Sequence, residues 1–247
     1  VRWRLALQAL VAFVTFGVLK YAVCSAGLEF LGAPNTLFSS VIGGAIFVFG
    51  LILAGTLSDY KESERIPSEV ATLVGSIAED GRYCKEQFPG FDDAALRAHL
   101  AALLAAIRAD LGTPGSRSAL EALSDVTPSL LEMERIGLPA NHVVRLKGEQ
   151  AGIRRLLMRV YYIQRIDFLP SAHNFVRSLV ALILALLLFS TIDPPLLSVA
   201  IVAFIAYLFV YILRLLKTLD TPFRVHERTH DDVSLFLIEE MEEKLAE

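Results

Sequence analysis

Four runs of this chain carry no charged side chain for long enough to matter in a membrane, and a polar, helix-rich middle separates them two and two. The clearest run covers 36–58, bounded by Asn35 and Asp59. At a rise of ~1.5 Å per residue it suffices for a ~30 Å hydrocarbon layer. A second run, 194–213, is similarly uncharged and rich in Leu, Ile, Val and Phe. The other two are shorter: 5–19 is followed by Lys20, and 178–192 is fenced by Arg177 and Asp193. Alone, each could be a buried helix or an interfacial segment. Joined by a short connection to a strong span, each reads as one arm of a transmembrane hairpin, with Lys20 reaching for headgroups or a polar pore.

The expected fold class is therefore an all-α membrane protein, with four transmembrane helices in two hairpins around a cytoplasmic helical domain. The expected divisions are a first hairpin over 1–58, a cytoplasmic helical domain over 59–173, a second hairpin over 174–216 and a cytoplasmic C-terminal segment over 217–247. Orientation follows from Lys and Arg. The connections 24–35 and 191–195 contain neither, whereas Arg2, Arg4, Lys61, Arg65, Arg177, Arg214, Lys217, Arg224 and Arg228 flank the opposite ends of the spans. This places both termini and the middle in the cytoplasm of a multi-pass cell-membrane protein. A secretory signal over 1–27 is the competing reading, but its removal would leave an odd number of spans.

A mean hydropathy of +0.53 beside 20% charged residues is the average of apolar spans and an ordinary polar domain. A net charge of −4 is small for 247 residues and makes nucleic acid a poor partner. Cys24 and Cys84 fall on opposite sides of the membrane in this scheme and are expected to stay free.

The middle reads as helices throughout. Val70, Leu73, Val74 and Ile77 recur at helical spacing over 67–87, with Pro67 suited to a first turn. Asp92 suits the N-cap of a helix whose apolar face is Leu96, Leu100, Leu103, Leu104, Ile107 and Leu111, ending at Gly112. The segment 116–136 should kink or break at Pro128. Asn141 is expected to cap a long helix that ends near Leu169 and Pro170.

No phosphate loop, metalloprotease helix, nucleophile elbow or paired-cysteine knuckle occurs, so no enzyme chemistry and no cofactor are expected. His226, His230, Asp231 and Asp232 crowd together after the last span and are weak metal candidates, with a solvated connector as the plainer reading. In the second span, Ser39, Ser40, Gly43, Gly44, Gly50 and Gly55 interleave with large apolar residues. Small residues permit ordinary helix packing in the bilayer, or allow several copies to pack around an axis and point Ile or Phe inward as a dewetting gate.

Short motifs in the right order resemble bestrophin channels. They are Arg2-Trp3-Arg4 before the first span, the stretch from Asp59-Tyr60-Lys61-Glu62 to Pro67 after the second, Arg165-Ile166-Asp167-Phe168-Leu169-Pro170 before the third, and Leu219-Asp220-Thr221-Pro222-Phe223 after the fourth. The resemblance implies a homopentamer in membrane lipid with one axial pore for small monovalent ions; the family it resembles holds both anion-conducting and cation-conducting members, so the ion is left open, with chloride slightly favoured over a cation. It implies a neck on the second span at Ile42, Ile46 and Gly50, or one residue along at Gly43, Phe47 and Leu51, and a cytoplasmic aperture at Leu169. The chain departs from the family pattern in lacking aromatics over 55–58, in Arg224 replacing Gly, and in an acidic string reduced to Asp231-Asp232, so calcium gating is not expected. Arg145, Lys147, Arg154, Arg155, Arg159 and Arg165 could concentrate anions, or could face solvent and acidic neighbours. A non-conducting scaffold or sensor is the alternative to a channel, and a secondary transporter ranks third.

Overall fold

Long uncharged runs and polar runs with helical apolar spacing produce helices. The computed structural model describes residues 4–32, 36–113, 115–165, 170–223 and 233–246, of which Arg4, Leu37 and 170–173 are described in backbone only. In chain order the elements are α1 (Arg4–Ser25), α2 (Thr36–Gln87), α3 (Asp93–Gly112), α4 (Ser118–Asp125), α5 (Thr127–Arg135), α6 (Ala140–Arg165), α7 (Pro170–Phe189), α8 (Pro195–Leu219) and α9 (Phe236–Ala246). No strand occurs among the described residues, only one parallel bridge between Leu31 and Ser190.

The chain divides into two compact units. The first holds Val1–Asp59 and Phe168–Asp220; the second holds Tyr60–Asp167 and most of the C-terminal segment. Among the described residues, three helices are long and apolar enough to cross a membrane: α1 over Leu5–Ser25, α2, and α8 over Pro195–Leu219. Over Asn174–Phe189, α7 is apolar but shorter. The chain is thus a membrane protein.

In the first unit, α1 packs along α8 through small residues. A β-carbon on Gly17 would lie 3.5 Å from that of Ala203, and Ala9, Ala203 and Ala206 are buried, so the backbones approach closely. The C-terminal side of α7 joins α8 and the inner face of α2 around Val180, Ile183, Leu187, Val202 and Phe209. Phe49 meets Phe209 there, ring centres 5.4 Å apart.

The second unit has its own core, drawn from α2 beyond Tyr60, α3 to α6, and α9. The apolar face read for α3 is the buried one, and the Asp92 carboxylate accepts from the Ala95 N–H as the cap. The break in the third segment falls at Val126, between α4 and α5, leaving Pro128 in the first turn of α5 where its missing N–H matters least.

Two boundaries differ from expectation. Pro67 does not start a helix: α2 runs unbroken from the apolar span through it to Gln87, because a proline inside a helix removes one ladder bond while the bonds of the adjoining turns persist. Asn141 is not the cap of α6, which begins at Ala140, with the Pro139 carbonyl accepting from His142 and Val143.

Candidate functional site

Along the membrane part of α2 the two faces have opposite environments. Ala45 and Phe49 are buried among α7 and α8 side chains, with Phe38, Ile42, Ile52 and Leu53 packed beside them. The other face is open. Phe47 is 67% exposed, Ile46 57% and Leu51 60%, and β-carbons added at Gly43, Gly44 and Gly50 would meet nothing within 4 Å. Within one chain, then, an apolar stripe of Gly43, Phe47, Gly50 and Leu51 has no partner among the described residues, spaced so that all four share one side of a 3.6-residue helix. Of the expected neck residues, Ile46, Phe47 and Gly50 are exposed, whereas Ile42 lies on the packed face. Leu169 lies outside the described residues, as do His226, His230, Asp231 and Asp232.

Lys20 corrects its expectation. It reaches neither headgroups nor a pore, for its side chain is fully buried. The ammonium donates to Glu29 Oε1 at 2.7 Å, to the Leu188 carbonyl at 3.0 Å and to the Ser190 carbonyl at 2.5 Å. The two carbonyls lie at the C-terminal end of α7, where the last turn has no intrahelical donors and the helix dipole is negative, so a lysine from α1 caps α7 and a carboxylate balances its charge. The Cys24 thiol donates to the same Glu29 oxygen at 3.0 Å. These hydrogen bonds, that from Lys20 foremost, hold the Glu29 carboxyl below its ordinary range. The α1–α2 connection is tied down further by Leu31 N–H to the Phe189 carbonyl at 3.1 Å, Thr191 N–H to the Leu31 carbonyl at 3.0 Å, and Phe30 stacked on Phe189. Sequence reading missed this cage. Its only signal was a lysine interrupting an apolar run, with a single acid, Glu29, in the connection that follows.

In the second unit the basic residues of α6 divide. Arg145 pairs with Asp80, and Arg159 makes a two-pronged contact with Glu62, at 3.1 and 2.6 Å, while lying over Tyr162. Lys147 donates to Gln150. Arg154, Arg155 and Arg165 form no ion pair among the described residues. Asp110 is a second group that sequence reading did not single out. Buried at the end of α3, it accepts from Ser116 Oγ, Ser118 N and Oγ, Ala119 N and Tyr161 OH, and so caps α4 from another helix. Burial alone would raise its carboxyl, but these donors outweigh it and hold the group below its usual value.

As a fold, the chain is similar to a bacterial bestrophin homologue from Klebsiella pneumoniae, with a TM-score of 0.81 and 15% identity over 97% of this chain and 97% of that chain. A single-substitution variant of that homologue gives 0.80 at the same identity over 96% of each chain. A structure known only as that of a membrane protein gives 0.80 at 14% identity, over 96% of this chain and 95% of that one. No protein-family model matches the chain, and no curated protein does. The chain has the bestrophin-homologue fold across nearly its whole length.

Proposed function

We propose that this protein is a bestrophin-like ion channel, a homopentamer that passes small monovalent ions through a hydrophobic neck made by the membrane part of α2. The observation that carries the reading is the uncovered face of that helix. Phe47 and Leu51 stand open beside Gly43 and Gly50, and a polar pore helix would not need them there. Five copies turned toward a common axis cover this face, and the glycines let them approach until Phe47 forms a narrow dry ring. Ile46 flanks that ring. The fold shared with a protein named as a bestrophin homologue, and the short motifs in bestrophin order, support the same reading. In this proposal α7 spans the membrane as the fourth helix, both termini are cytoplasmic, and Leu169 forms a second constriction.

Chloride is the ion we place first. Arg154, Arg155 and Arg165 make no ion pair among the described residues and remain to attract anions, although a hydrophobic neck does not itself select a sign. The decisive measurement is flux from proteoliposomes under imposed chloride and sodium gradients. A channel gives a reversal potential that follows one of the two ions; a scaffold or sensor gives no flux, and saturable, substrate-coupled uptake indicates a transporter.

A further inference from the structure

The three acceptors around Lys20 are unequal. The Leu188 and Ser190 carbonyls cannot change charge, but the Glu29 carboxylate can, and its side chain is 20% exposed while that of Lys20 is 0%. A buried ammonium is tolerated only while paired, so protonating Glu29 leaves an uncompensated cation inside the first unit. Among the described residues, the other titratable group facing this carboxylate is the Cys24 thiol of α1. From α7 only backbone carbonyls face the ammonium, and Asp193, on the connection to α8, makes no ion pair with it among the described residues. Glu29 sits on the short connection that leads into α2, and the further ties of that connection to α7 are the hydrogen bonds at Leu31 and Thr191 and the Phe30–Phe189 stack.

We propose that Glu29 is an acid-sensitive latch: a proton taken from the side of the membrane faced by the α1–α2 connection frees that connection from the end of α7 and changes conduction through α2. The conduction half rests on the channel reading; the latch itself does not. The sign follows from the carboxyl being held low. The latch is complete above the ordinary glutamate value of about 4.3 and opens as pH falls through the lower value of the folded protein.

The test pairs two readouts on the full-length protein in lipid nanodiscs and proteoliposomes. Hydrogen exchange at the Leu31 and Thr191 amides, corrected for the intrinsic effect of pH, is compared for the wild type at pH 7 and below pH 4, and for Glu29→Gln at pH 7. Loss of a charge-assisted hydrogen bond predicts exchange about tenfold faster in acid, with Glu29→Gln already that fast at pH 7. Equal protection of the wild type at both pH values overturns the latch without any variant, and so does wild-type protection in Glu29→Gln. Flux is then measured with acid on that side alone. Altered protection with flux indifferent to acid overturns the gating half, whereas altered protection with no flux under any condition leaves the latch standing and removes the channel reading.

Discussion

At Gly81 the second unit has no room for a methyl group. A β-carbon there would lie 2.5 Å from Leu96 Cδ2 and 2.9 Å from Asp93 Oδ1, both on α3, and Leu96 is itself fully buried. Gly81→Ala is therefore expected to destabilise by about 1–3 kcal/mol through overpacking, read as a lower Tm of the detergent-solubilised protein. Asp110 makes a second residue-scale prediction. Asp110→Asn removes acceptor capacity facing several donors, including Tyr161 OH at 2.5 Å, and should lose about 2–3 kcal/mol at neutral pH. Because the folded carboxyl is held low, this contribution is full above the ordinary aspartate value of about 3.9 and fades as pH falls through the lower folded value. The Tm gap between wild type and variant should accordingly narrow below about pH 4 and be unchanged between pH 6 and 8. Neither Asp110 nor Lys20 was legible in the sequence. The carbonyl partners of Lys20 at the end of α7 are 168 and 170 residues away, and nothing local marks an aspartate inside a helix as the cap of the next one.

Element by element, the sequence carried more. Charge-free length and apolar spacing located the three long apolar helices and the buried face of α3, because burial needs only the right residue types at helical intervals. Ends were harder. The membrane and polar parts of α2 read as two helices because Pro67 suits a first turn, yet 52 residues form one. Lys20 seemed to end the first span, yet α1 continues to Ser25, since its charge is neutralised by groups that sequence order does not bring near. The faces of α2 lend themselves to a paired experiment. On the packed face, Phe49→Ala removes the contact with Phe209 and should lower Tm. On the open face, Phe47→Ala removes nothing that the single chain packs against and should leave Tm within a degree or two while raising flux severalfold, by widening and wetting the neck. Reversed outcomes, or equal ones, would count against the proposed neck at Phe47.

For the whole molecule the question is what covers the open face of α2, and an odd-numbered ring leaves a signature that lipid or a two-fold dimer does not. Take a chain in which Cys24 and Cys84, both free, are replaced by Ser, and introduce one cysteine as Phe47→Cys. A short bifunctional maleimide joins such cysteines only in pairs, so the covalent product is a dimer whatever the size of the assembly. In a pentamer two pairs form and one subunit is left over, so the reaction should stop with about four fifths of the chains joined, whereas a dimer or tetramer can go to completion. Ala45→Cys serves as the control. Ala45 is 2% exposed on the packed face of the same helix, and its cysteine should stay monomeric under the same treatment. If the open face of α2 is instead bathed in acyl chains, neither position cross-links beyond the background of random collision, and the channel reading fails with it. Cross-linking at Phe47 that runs to completion would keep a self-associated α2 and exclude the five-fold ring.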